Sequence, residues 1–284
     1  MKKRIIAAVI LMGFSGLVAQ VVLLRELMIA FHGNELSIGI VLANWLMLEA
    51  VGAYCLGSAI SRARRKLGWF VLTTVFFTVF FLGAIVAARS FREFMPVAPG
   101  EGFGLLPMFW VSFLILLPVS VTHGALFTSG CRLFSLFSPS LNSRSRPAGQ
   151  VDRDAFSIAR VYVYETAGTF IGGAALIWLI SPLFHSIEIA LILALLNIGV
   201  CVTLLQPFRR RRKSMTARIA GYCMAALLPG ILFMLAGSVG DQIHTLSVKR
   251  QWQNQELVYY RNSPYGNIAV VHREGEYTFF TDGL

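Results

Sequence analysis

Charge is scarce in this sequence, and acidic charge is scarcest. Of 284 residues only 14% are Asp, Glu, Lys or Arg, against roughly a quarter in soluble domains. So few charges beside 56% hydrophobic residues exclude an ordinary soluble fold, whose surface has to be wetted. There are four cysteines, Cys55, Cys131, Cys201 and Cys223, with no close pair among them. That spacing argues against a disulfide framework and a cysteine-based zinc cluster, and predicts buried, inert thiols. A glycine-rich phosphate loop following a strand is also missing.

What is present is a series of long hydrophobic runs, with a mean hydropathy of +0.67. They lie at residues 5–31, 36–60, 69–88, 105–130, 159–180, 185–206 and 219–238. Each is long enough to cross a bilayer, since about 20 helical residues span roughly 30 Å of hydrocarbon. The basic start (Met1 to Arg4) and the apolar stretch after it resemble a secretory signal. The run continues to residue 31, however, so a retained spanning helix is expected. The expected architecture is an all-α polytopic membrane protein. About seven transmembrane helices occupy residues 1–240, and a small β-hairpin element occupies 241–284.

The basic residues orient this arrangement. Lys2, Lys3, Arg4, the cluster at 62–66, the arginines from 132 to 160 and the run at 209–218 share one side if six segments alternate. The other side holds Arg89 and Arg92. Lys and Arg mark cytoplasmic loops, so the N-terminus is expected inside a cell (inner) membrane. A seventh crossing then places the tail outside. Pro229-Gly230 leaves a re-entrant loop open, and Lys249 and Arg250 mildly favour an inside tail. The net charge of +11 therefore points to topology and anionic lipid rather than nucleic acid. Residues 138–154, rich in Ser, Pro and Arg, read as a flexible loop dividing four helices from three.

After residue 240 the pattern changes. Short β-prone runs at 257–260, 268–271 and 277–280 are separated by turn residues at 263–266 and 272–275. An isolated hairpin is marginal in water, so this element needs further support.

The tail from Gln253 to Leu284 resembles the small N-terminal β-domain of the spermidine synthases, the polyamine aminopropyltransferases. The matching residues are Ser263, Pro264, Tyr265 and Gly266 in the first turn, then Asp282 and Gly283. Residues 13–27 (GFSGLVAQVVLLREL), 52–58 (GAYCLGS) and 162–173 (YVYETAGTFIGG) are similar to the helical region of membrane-fused members. The resemblance implies decarboxylated S-adenosylmethionine as the family's substrate. Gly266 stands where the soluble enzymes carry a Gln that helps bind it. The family's Rossmann-like domain would begin at about residue 284, so no catalytic residue carries over and this chain alone is expected to be inactive. The expected partners are the bilayer and a catalytic aminopropyltransferase domain or chain, with no cofactor or metal. The alternative is a small transporter for a cation or polyamine, with a vestigial β-tail.

Ionisable groups inside a membrane cost at least about 2.5–3.5 kcal/mol and are functional candidates. Counted from the cytoplasmic ends at about 1.5 Å per residue, Glu49 lies ~16 Å deep, Asn197 ~14 Å, His123 ~10 Å and Glu165 ~9 Å. Similar depth predicts a shared polar site for a proton or an organic cation. Separate hydrogen bonds to neighbouring backbones are the other reading. Arg25 and Glu26 fall near the outer interface, where an arginine can snorkel to water. Small residues at Gly168, Gly172, Ala53 and Gly57 predict close helix approaches.

Overall fold

A helix that is apolar around its whole circumference is either enclosed or meets lipid. Here some such faces are enclosed and others point outward. The computed structural model describes residues 1–33, 35–91, 103–137, 150–205, 215–252, 255–263, 266–273 and 275–282. Seven of its helices are long and apolar enough to cross a membrane. They are α1 (Lys2–Phe31), α2 (Glu35–Arg62), α3 (Lys66–Ser90), α4 (Leu105–Phe137), α5 (Ala155–Leu183), α6 (Ser186–Leu205) and α7 (Arg218–Ala236). Each apolar run of the sequence coincides with one of them. Helical structure begins earlier than the hydrophobicity does in two cases, at Gln150 before α5 and at Met215 before α7. Most of the 138–154 loop and the basic run at 209–213 lie outside the described residues.

Helix α1 is the hub, packed against α3, α4, α5 and α6. Val9, Val18, Ala19, Leu23 and Leu27 are fully enclosed. At the periphery large apolar side chains face outward, including Phe170, Trp178 and Phe233. Helix α7 packs mainly on α6 and runs unbroken past Pro229, so the re-entrant loop is not formed. Of the four cysteines, all free, Cys131 and Cys201 are buried, whereas Cys55 and Cys223 are exposed on outer helix faces. The expectation of four buried thiols fails for those two because apolar helix faces point outward as well as inward.

Two helix pairs come unusually close. A Cβ on Gly168 of α5 would sit 1.9 Å from the Ile10 carbonyl oxygen of α1, and one on Gly124 of α4 would sit 1.9 Å from that of Glu49 in α2. Small residues permit such approaches, which dispersion and backbone contacts then stabilise. One turn beyond Glu49, α2 opens into a π-helical turn at Gly52–Leu56. Interruptions of this kind often occur at functional positions.

The sequence predicts a β element throughout residues 241–284, but among the described residues a further helix, α8 (Val239–Gln251), precedes the strands. It runs across the expected domain boundary at 240/241. Three antiparallel strands follow, β1 (Glu256–Ser263), β2 (Gly266–Arg273) and β3 (Glu276–Thr281), in that order. Tyr260 pairs with Ala269, and Ala269 with Phe280. The sheet does not stand alone. Ala269 and Val271, flanked by Leu257, Tyr260 and Phe280, pack on Val248 of α8, on Trp252 at its C-terminal end and on Ile29 of α1. The sheet therefore sits at the Phe31 end of the bundle. At the opposite end Arg4 Nη1 donates to the Thr203 carbonyl of α6, at 2.8 Å.

Candidate functional site

Close packing of α2 on α4 brings two of the expected polar residues into contact. Glu49 Oε1 lies 2.7 Å from His123 Nδ1, and Trp45 Nε1 donates to Glu49 Oε2 at 3.0 Å. The other imidazole nitrogen, Nε2, is 3.4 Å from the Met12 carbonyl of α1. The Nε2 edge of the ring abuts α1 at Gly16, where a Cβ would fall 2.1 Å from Nε2. Phe77 flanks it, ring centroids 5.4 Å apart. Both nitrogens of His123 therefore face oxygen acceptors. One proton satisfies the Glu49–His123 contact whether it resides on the carboxyl or on the ring, so it can cross with little heavy-atom movement.

Glu165, half-buried on α5, lies within electrostatic range of both Glu49 and His123. The structure thus gathers Glu49, His123 and Glu165. It does not add Asn197, whose Nδ2 donates to Ser15 Oγ at 3.1 Å. Asn197 instead lines a small void of about 10 Å³, shared with Met12, Ser15 and Phe77.

A second polar cluster was not legible in the sequence. Arg89, which the charge count puts in an outer loop, is the last-turn arginine of α3 and is fully buried. Its Nε donates to Glu26 Oε2 at 2.7 Å and its Nη2 to Glu26 Oε1 at 2.6 Å. This is the bidentate geometry that makes such pairs strong. Nη1 donates to Ser247 Oγ at 2.8 Å and approaches His244 Nδ1 at 3.2 Å, both on α8. Ser186 at the start of α6 donates to Glu26 Oε1 at 2.5 Å. Burial drives the His244 imidazole down to about 3, with the charges of Arg89 and His185 adding to the effect. It is therefore neutral and accepts from Arg89. Burial also pushes the Tyr260 hydroxyl up, reinforced by Glu26. Arg25, beside Glu26, donates to Ser181 Oγ at 2.6 Å, so it ties α1 to the end of α5. The one available signal was that Glu26 and Arg89 stand at the same end of their helices with opposite charge.

At the turn that carries the family resemblance, Ser263 Oγ accepts the Gly266 amide hydrogen and donates to the Gly266 carbonyl. Asp282, with φ of 52°, accepts the Asn267 amide hydrogen at 2.7 Å. A Cβ on Gly266 would fall 2.5 Å from the Asp282 carboxylate. A larger residue there would have to displace that carboxylate from its bond to the Asn267 amide. Pro264, Tyr265 and Gly283 lie outside the described residues.

Comparison with known proteins gives one consistent direction. The chain is similar to the polyamine aminopropyltransferase of Oceanobacillus iheyensis, 23% identical over 260 residues. The match covers 84% of this chain and 46% of that protein, so the chain spans less than half the length of the relative. No family model and no solved structure matches. The similarity supports a spermidine-synthase-like relationship that reaches into the helices, because residues 241–284 are too short to account for 84% coverage.

Proposed function

We propose that the chain is the membrane-embedded region of a spermidine-synthase-like protein. Its seven long helices cross the bilayer, with Lys2–Arg4 in the cytoplasm, and its sheet stands on the outer surface. The breadth of the similarity to an aminopropyltransferase carries this reading. The outward-facing Phe170, Trp178 and Phe233 meet acyl chains, which removes the cost of exposing them. Residues 1–240 form the membrane unit, and 241–284 form the start of the soluble one. Ile29, Val248 and Trp252 fix the sheet to the end of the bundle and so set where a transferase unit is held.

A chimera tests the reading. Residues 1–284 replace the aligned part of the Oceanobacillus protein, and aminopropyl transfer is assayed with donor added to permeabilised cells. The expected activity sediments with membranes and resists alkaline carbonate, while residues 1–284 alone give none. A phosphatase fused after Leu284 is expected to be active. Transfer confined to the soluble fraction would sink the proposal.

The Glu49–His123–Glu165 cluster favours a second reading, passage of a proton or polyamine through the helices. Proteoliposomes carrying the chain would then accumulate labelled polyamine under a proton gradient. Glu49→Gln, which removes the charge but keeps the shape, is expected to lower uptake at least tenfold. Uptake no greater than in empty vesicles removes this reading.

A further inference from the structure

The end of the bundle that carries the sheet holds a third cluster. His185 immediately precedes α6, Glu188 lies in its first turn, and Asp241 lies in the first turn of α8. His185 Nε2 is 3.2 Å from Asp241 Oδ1 and 3.6 Å from Glu188 Oε2. One ligand atom from each residue falls within a 4.8 Å span. We propose that these three side chains bind a divalent cation of the zinc class.

The spacing is the first argument. A tetrahedral ion with bonds of about 2.0–2.1 Å to imidazole nitrogen and carboxylate oxygen separates its ligands by about 3.3–3.4 Å. The two His185 distances bracket that value, and the carboxylate oxygens of Asp241 and Glu188 lie within 4.8 Å of each other, so an ion fits once the exposed Asp241 side chain swings in by up to about 1.4 Å. Local capping explains only part of the arrangement. Glu188 Oε2 accepts the His185 amide hydrogen at 3.0 Å, and His185 Nδ1 faces the Glu188 amide at 3.3 Å, as in a capping box. Capping gives no reason for Asp241, 56 residues from His185 in sequence, to meet the same Nε2.

The second argument is the space beside the cluster. His185 and Glu188 line an open cavity of about 270 Å³, together with His244, Tyr260 and Arg261. The buried Tyr260 hydroxyl has no hydrogen-bond partner among the described residues. Three protein ligands with a free fourth position that opens on such a cavity suit a cation that keeps a water. Two carboxylates balance its charge. Loading moves the proton of a neutral His185 from Nε2 to Nδ1, which breaks the long contact from the Glu188 amide. If His185 is an imidazolium beforehand, one proton is released.

The test uses the full chain in detergent, stripped with a chelator. To exclude thiol binding, the exposed Cys55 and Cys223 are replaced by Ser. Titration with Co²⁺ is expected to give the intense visible bands of a four-coordinate site, saturating at one equivalent and displaced by Zn²⁺. His185→Ala abolishes the bands. Asp241→Asn, at an exposed position with little effect on folding, weakens binding on the order of a hundredfold. Absence of binding, octahedral-type weak bands, or stoichiometric binding that survives both substitutions overturns the proposal.

Discussion

Arg89→Ala is expected to destabilise the chain by about 3–5 kcal/mol, the cost of leaving a buried charge without its partner. Glu26 is 1% exposed and Arg89 0%, so water cannot replace what is lost. The substitution removes both guanidinium bonds to Glu26 and leaves its carboxylate with the Ser186 hydroxyl as donor. It also frees Ser247 and His244, through which Arg89 holds α8 and hence the sheet. Arg89→Lys does not rescue, because an ammonium cannot make the two parallel bonds. The double variant Glu26→Leu/Arg89→Met is expected to recover most of the loss, since an apolar pair of similar volume has no desolvation to offset. Equilibrium unfolding in detergent measures the three free energies, and limited proteolysis after Trp252 reports whether the sheet detaches. A loss under about 1 kcal/mol for Arg89→Ala, or a double variant no better than the single, contradicts the role given to this pair.

The contrast between Arg89 and the seven helices shows where sequence reading stops. Helix length and hydropathy are local, so the runs at 69–88 and 185–206 fall within a few residues of α3 and α6. The strand runs were equally local, and each sits inside an observed strand. Arg89 lies at the edge of a hydrophobic run, where an arginine ordinarily reaches water. Its burial depends on Glu26, 63 residues away, and on α8, a polar helix with no hydrophobic run to announce it. The same limit governs the mid-bundle residues. Equal depth is legible in sequence, but the azimuth of each helix is not. Rotation about α1 turns His123 onto Gly16 and toward Glu49, and turns Asn197 onto Ser15.

Gly124→Ala is expected to cost about 1–3 kcal/mol, and Gly124→Val more, because overpacking against backbone cannot be relieved by a rotamer change. The new methyl would fall 1.9 Å from the Glu49 carbonyl oxygen and 2.8 Å from the Ala53 nitrogen. Helix α2 therefore has to move away from α4, and Glu49 moves with it. The functional consequence is separable from the loss of stability. In the parent chain a double-mutant cycle of Glu49→Gln and His123→Phe is expected to give a coupling of about 1.5–3 kcal/mol, as for a charge-assisted hydrogen bond. In the Gly124→Ala background the coupling should fall toward zero. Gly83, inside α3 with no atom within 4 Å of its would-be Cβ, supplies the control. There alanine is expected to be neutral or to stabilise by up to about 1 kcal/mol through helix propensity alone. Close contact at Gly124, rather than any general intolerance of this bundle to alanine, then separates the two results. If Gly124→Ala matches Gly83→Ala in stability, or leaves the coupling intact, the close approach of α2 and α4 does not hold the Glu49–His123 pair together.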